Sequence, residues 1–285
     1  MVDQLLEALQ PFRGEHQVPG RAPLTVVSDQ GLIEAAKSLG MTPRQAMAAC
    51  LKQDIWPERL AVNRGTFSAE DQARLADSTV AVIGAGGLGG MVVLQLTRLG
   101  LGRIKVCDGD VFEPTNLNRQ FLCRRDTLGR PKAEVAAEEA AAVSPVVEVE
   151  VFSFRAGPDN LGKILAGARV AMDCLDNLPS RYALEDAARE MNLPYVHGAV
   201  AGLEGFVMTV LPGEPGLRGL HGPEPPAKED SAETVVGIPA LTPAAVAVLQ
   251  AAEVIKLLLG RRGLGRGALL HLDLSVPSLE LLHLG

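Results

Sequence analysis

Hydrophobic positions along the chain change their period several times, and each change predicts an element. Residues 1–9 and 31–52 space their apolar side chains at helical intervals, with a turn-prone stretch, 11–23, between them. Thr42 before Pro43 reads as an N-cap with proline in the first turn, opening a helix that runs through residue 51. Ser68 opens another helix in the same way. Strands then alternate with helices. The strands are expected at 79–83, 103–108, 146–152, 170–174, 195–198 and 205–211, and the helices at 91–99, 131–142 and 180–191. This alternation predicts a mostly parallel sheet covered on both faces, a doubly wound α/β fold with a Rossmann-like nucleotide-binding half. Residues 212–232 lose periodicity and concentrate Pro, Gly and charge, which predicts a long loop. An amphipathic helix over 243–259 follows, with Pro243 just inside its start and Gly260 just past its end. Two alternating runs, 268–274 and 279–284, predict a closing hairpin. Residues 1–57 are expected to be a small helical extension packed on a main domain of residues 58–285.

Composition adds exclusions. Aromatic residues make up 4% of the chain, so the core must be built from aliphatic side chains. A net charge of −7 provides no basic footprint and argues against a nucleic-acid binder. No apolar run approaches the roughly 18 residues that a membrane span requires. The acidic start, Met-Val-Asp-Gln-Leu-Leu-Glu, is unlike a signal peptide, so the cytoplasm is the expected location. Cys50, Cys107, Cys123 and Cys174 lie far apart with no C-x-x-C pair; buried free thiols are expected, not a disulfide framework.

Chemistry concentrates after residue 83. Gly84-x-Gly86-Gly87-x-Gly89 follows an apolar strand and opens a helix, where bare backbone amides can approach phosphate or ribose. Asp108, 21 residues beyond Gly87, ends the next strand, where a carboxylate can accept from both ribose hydroxyls. A dehydrogenase fits equally well up to this point. Asp110, Asn116, Arg119, Gln120, Lys132, Asp176 and Asn177 then break the tie. Hydride transfer has no use for so many charges on one pocket, whereas triphosphate chemistry uses Arg and Lys to neutralise phosphates and Asp to hold Mg²⁺. Asp176 could instead cap the helix that follows, and Asp110 could orient Arg119 rather than touch a ligand. His197 and His221 have no metal-ligand spacing and read as core or surface residues.

In this order, Gly-x-Gly-Gly-x-Gly, Asp-x-Asp, Asn-x-x-Arg-Gln, Pro-Lys and Asp-Asn resemble the ubiquitin-activating-type adenylyltransferases (the HesA, MoeB and ThiF group). Among these are bacterial enzymes that activate sulfur carriers for molybdopterin and thiamine synthesis. The resemblance spans roughly residues 58 to 285 and implies an ATP-binding adenylation domain there. It implies Gly87 and Asp108 at the adenosine, Gly84 and Gly86 in the same cofactor-binding turn, and Asn116, Arg119 and Lys132 at the phosphates. Asp110, Gln120 and Asn177 would complete the pocket, and Asp176 would hold Mg²⁺. It further implies a homodimer in which Arg59, or failing that Arg64, reaches the partner's ATP. The substrate would be a small ubiquitin-fold sulfur carrier ending in Gly-Gly. Many relatives bind zinc through two C-x-x-C pairs that this chain lacks, so no zinc is expected. Residues 175–285 hold no cysteine, so sulfur transfer is expected to occur on another molecule. The competing readings are adenylation of a different carboxylate, on a peptide or a modified tRNA base, and an NAD-dependent oxidoreductase.

Overall fold

The first 57 residues are less helical than their pattern predicts. In the computed structural model, which describes residues 2–17, 19–20, 22–224 and 236–284, they form α1 (Val2–Leu9), α2 (Asp29–Leu39) and α3 (Pro43–Leu51). Three short strands, β1 (Arg13–His16), β2 (Leu24–Val27) and β3 (Trp56–Pro57), make a small sheet. The extension is therefore a mixed α/β unit. β1, Arg-Gly-Glu-His, has no β-branched or large apolar residue, which is why it hides in a turn-prone stretch. The helical pattern over 31–52 is two helices, because Gly40 adopts a left-handed φ of 64° and ends α2. Thr42 then caps α3 in a reciprocal box with Gln45. The unit buries Leu9, Leu32, Met47, Leu51 and Trp56 in one cluster, which also takes in Leu60, Ala73 and Ala76.

Beyond it, α4 (Ala69–Ala76) opens on the Ser68 cap as expected and leads to β4 (Thr79–Ile83). Alternation continues through α5 (Gly89–Arg98), β5 (Arg103–Cys107), α6 (Lys132–Val143), β6 (Glu148–Phe152), α7 (Pro158–Leu165), β7 (Val170–Asp173) and α8 (Leu178–Glu190). Then come β8 (Tyr195–Ala201), β9 (Glu204–Val210), α9 (Leu217–His221), α10 (Leu241–Leu258), β10 (Ala268–Asp273) and β11 (Ser278–His283). The stretch expected to be a plain loop thus contains the short helix α9; from residue 225 to 232 it lies outside the described residues.

One eight-stranded sheet runs in the order β6-β5-β4-β7-β8-β9-β10-β11. Its first five strands are parallel and the last three join antiparallel. Successive residues of β4 point to opposite faces. Val80 and Val82 pack with α5, α6 and α10, while Ala81 and Ile83 pack with α7 and α8. Against the expectation from sequence, α10 is long and apolar enough to cross a bilayer. More than half of it is buried, against β8, β9 and α5, so core packing accounts for its apolar length.

Candidate nucleotide-binding site

β4 and β7 are neighbours, yet the chain leaves β4 towards β5 on one side and leaves β7 towards β8 on the other. At such a switch point the strand ends diverge and leave a crevice. A cleft of about 940 Å³ opens there, bordered by Gly84, Gly86 and Gly87 after β4 and by Asp176 and Asn177 after β7. Gly84 has a φ of 99°, and a Cβ there would lie 2.4 Å from the Cys174 carbonyl oxygen. A Cβ on Gly89 would lie 1.7 Å from the carbonyl oxygen of Gly84. The turn is therefore folded tightly against both β7 and the first turn of α5, and that closeness aims the amides of α5 at the cleft.

Asp108 follows β5. Its Oδ2 accepts the Ala85 amide at 2.7 Å and its Oδ1 the Asp110 amide at 2.8 Å. Burial raises its carboxyl above the ordinary range, against the pull of those amides and of Lys132. Asp110 pairs with Lys132 and with Arg155, each at 3.5 Å, and not with Arg119. The reason is local: the Lys132 amide donates to the Asp110 carbonyl at 3.0 Å, which zips the two segments together. Arg119 instead donates to the Thr115 carbonyl at 3.0 Å and to Asn118 Oδ1 at 2.8 Å, at the cleft edge. Gln120 is buried beside Gly86, and its Oε1 has no hydrogen-bond partner among the described residues.

Asn116 and Arg59 lie outside the lining of this chain's cleft, which for Arg59 accords with a role at a partner's site. Asn116 is buried outside the cleft lining, where its Oδ1 accepts the Glu113 amide at 3.0 Å and so closes the turn that presents Arg119. Arg59 lies away from its own chain's cleft, on the short 3₁₀ helix Glu58–Asn63. Its Nε contacts Asp29 at 3.2 Å, Nη2 approaches Met47 Sδ at 3.3 Å, and the side chain is 18% exposed. Arg64 pairs with Asp54 at 3.5 Å. Asn177 accepts the Ser180 amide and caps α8, so capping does not fall to Asp176, whose Oδ1 accepts from Asn177 Nδ2 at 3.0 Å. Arg155 was not singled out from sequence. Its signal is its place just past β6, whose carboxyl end borders the same crevice.

Behind the cleft wall, fully buried Asp173 accepts from Tyr195 Oη at 2.6 Å and lies 2.7 Å from His197 Nδ1. His197 is thus a core histidine. Burial lowers its pKa despite Asp173. Burial also works to raise Asp173, but His197, Arg181 and Tyr195 outweigh it and hold that carboxyl low. With both values depressed on folding, the unfolded chain binds more protons, so stability rises with pH and is lost on acidification. The His197 contribution is present above about pH 6.5 and lost below it; that of Asp173 goes below about pH 4. Tm measured from pH 8 to 5 is expected to fall on the acid side, and His197→Gln to flatten that limb. An equally steep limb in the variant would assign the loss to other groups.

Cys174 forms part of the cleft wall, but burial, and next the Asp173 charge, push its thiol well above the ordinary value. The thiolate is the reactive form. Iodoacetamide at pH 8 is therefore expected to leave Cys174 unmodified in the native protein and to alkylate it in urea, as read by peptide mass spectrometry. Rapid native labelling would contradict this.

The chain matches the ThiF family over residues 60–283. It is 40% identical over 206 residues to a SAMP-activating enzyme E1 of Haloferax volcanii, a match covering 72% of this chain and 76% of that one. It is 38% identical over 197 residues to a sulfur carrier protein adenylyltransferase of Thermus thermophilus, covering 67% and 73% respectively. The crystal structure of E. coli MccB with MccA-N7isoAsn superposes with a TM-score of 0.69 at 21% identity, over 80% of this chain and 72% of that one, a likeness of fold. A glycine turn and an Asp-Asn turn facing each other across a switch-point cleft, within a sequence matched from residue 60 to residue 283, place this chain in the ThiF family.

Proposed function

We propose that the chain is an ATP-dependent adenylyltransferase that activates the C-terminal carboxylate of a small ubiquitin-fold sulfur carrier. The observation that carries this reading is the convergence of Lys132, Arg119, Asp108 and Asp176 on one cleft beside the glycine turn. The carrier carboxylate attacks the α-phosphorus of ATP, the bond to the β,γ-diphosphate breaks, and acyl-adenylate and pyrophosphate form. A carboxylate is already ionised at neutral pH, so the reaction needs no general base. It needs positioning and charge neutralisation. Asp108 is placed to accept from the ribose hydroxyls, and the start of α5 and Lys132 face the phosphates. Arg119, at the edge, neutralises charge on the transferring group. A dehydrogenase would leave Lys132, Arg119 and Asp176 without a use.

Among the described residues no three His, Cys, Asp or Glu side chains gather as a metal site. Asp176, whose carboxylate pairs with no cation among the described residues of the cleft, fits Mg²⁺, which takes one or two carboxylates together with phosphate oxygens and water. Asp108 is taken up by two backbone amides and Asp110 by Lys132 and Arg155. Bound there, Mg²⁺ supplies charge neutralisation across the phosphates. The name of the Thermus thermophilus relative supports the sulfur carrier as substrate. We also propose a cytoplasmic homodimer. For Arg59 to reach a second copy's ATP, its clasp with Asp29 must open. Light scattering tests the dimer, and mixing Arg59→Ala with Lys132→Ala protein tests the trans role: restored exchange in the mixture is expected if Arg59 acts across the interface.

The test of the reaction is ATP–pyrophosphate exchange with candidate carriers ending in Gly-Gly, added one at a time. Exchange that depends on one carrier is expected. ATP binding without exchange for any carrier would move the reading to another carboxylate, and no ATP binding would end it.

A further inference from the structure

Asp176 sits in an exposed turn, yet the residue before it is fixed at both ends. The Leu175 amide donates to Asp173 Oδ1 at 2.9 Å. The Leu175 carbonyl accepts from Arg181, from Nη2 at 2.6 Å and from Nε at 3.2 Å. Asp173 is held in turn by Tyr195 Oη and His197 Nδ1 on its Oδ2, and by Gln250 Nε2, which donates to its backbone carbonyl at 2.8 Å. The next amide, that of Cys174, donates to the Ile83 carbonyl at 2.9 Å, at the end of β4. A chain of bonds therefore runs from the core strands to the peptide that carries Asp176 and locks that peptide to the strand feeding the glycine turn.

Chemically this is a costly way to hold a turn. The Asp173 carboxylate is fully buried and the Arg181 side chain is 7% exposed, with 3.8 Å between Arg181 Nε and Asp173 Oδ2. Buried ion pairs give little net stability over apolar packing of the same volume. What a charged, multiply bonded group provides is direction, and the atoms it directs here are the two peptide groups that aim Asp176.

We propose that Asp173 and Arg181, supported by Tyr195 and His197, are positioning residues that set the Asp176 carboxylate for the metal–nucleotide complex. This rests on the reading of Asp176 as the metal-holding carboxylate. Outer residues that orient a metal ligand commonly change metal affinity by about 10- to 100-fold when removed. The expectation is a loss of that kind with nucleotide contacts intact. Tyr195→Phe and Arg181→Lys keep volume or charge, whereas Asp173→Asn removes the carboxylate and carries the greater risk of misfolding.

The experiment measures Mn²⁺ binding to the enzyme–ATP complex by electron paramagnetic resonance. Alongside it, calorimetry measures ATP affinity in EDTA, and Tm is recorded for each variant. Arg181→Lys and Tyr195→Phe are expected to weaken Mn²⁺ binding about 10-fold, with metal-free ATP affinity within about twofold of wild type and a native-like melting transition. Unchanged Mn²⁺ affinity in both folded variants would overturn the proposal, as would an equal loss of ATP affinity with and without metal. Asp176→Ala is the control. If it leaves Mn²⁺ affinity unchanged, the metal reading of Asp176 fails and takes this proposal with it; if it weakens binding while the two outer variants do not, only the positioning role fails. Carrier-dependent exchange enters none of these readouts, so the identity of the carboxylate substrate does not decide them.

Discussion

Lys132→Ala is expected to lower carrier-dependent ATP–pyrophosphate exchange by about 10²- to 10³-fold, the usual loss when one preorganised charge at a reacting centre is removed. Lys132 is the first residue of α6 and 7% exposed, so its ammonium is held in place and not waving in solvent. Its partner Asp110 is shared with Arg155, which remains in the variant to occupy that carboxylate. The fold should therefore survive, with Tm lowered by only a few degrees. The decisive measurement is single-turnover acyl-adenylate formation at saturating ATP. A rate within tenfold of wild type would mean that Lys132 serves only to anchor Asp110.

The second large effect is on folding. Gly89→Ala puts a methyl 1.7 Å from the Gly84 carbonyl oxygen, a distance that no rotamer relieves because the backbone fixes the Cβ and the oxygen is itself a backbone atom. Either α5 must move away from β4 or the glycine turn must open. α5 contributes Val92, Val93 and Leu96 to the main core, so moving it disrupts packing well beyond the turn. The expected loss is about 3 kcal/mol or more, within the range of severe core substitutions. Urea titration should show a midpoint shift at unchanged m-value, together with lost ATP affinity. Near-native stability would show that the turn and helix can separate at small cost. Gly86→Ala is the contrast: its Cβ would stand 3.4 Å from Gln120 Nε2, so affinity should fall more than stability.

The main sheet was legible because its strands are short apolar runs flanked by helices of clear period, and because parallel strands need such crossovers. The places of the glycine turn, Asp108 and Asp176 at the cleft were legible because they follow directly on strand ends, and that of Lys132 because it opens α6 beside them. That Asn116 closes its own turn outside the cleft lining was not legible, because such an Asn reads the same in sequence as one that reaches a phosphate. Arg155 was missed because one exposed arginine in a chain of 27 basic residues carries no signal until the carboxyl end of β6 is set beside the cleft. The pairing of Arg59 with Asp29 joins residues 30 apart through a fold of the extension that periodicity could not foresee.

The strand order also dictates when the cleft can exist during synthesis. β4 lies at the centre of the parallel half, but its neighbour β7 is made some 90 residues later. The N-terminal strands, by contrast, pair within the first 57 residues. A nascent chain emerging from the ribosome can thus order its leading unit early, while the half-built sheet leaves the edge of β4 unpaired. Until α10 arrives, the face carrying Val80 and Val82 is covered only in part, by α5 and α6. Ribosome-stalled chains ending before β7 should accordingly be cut rapidly by protease after residue 80 and resist cleavage once α10 has cleared the exit tunnel.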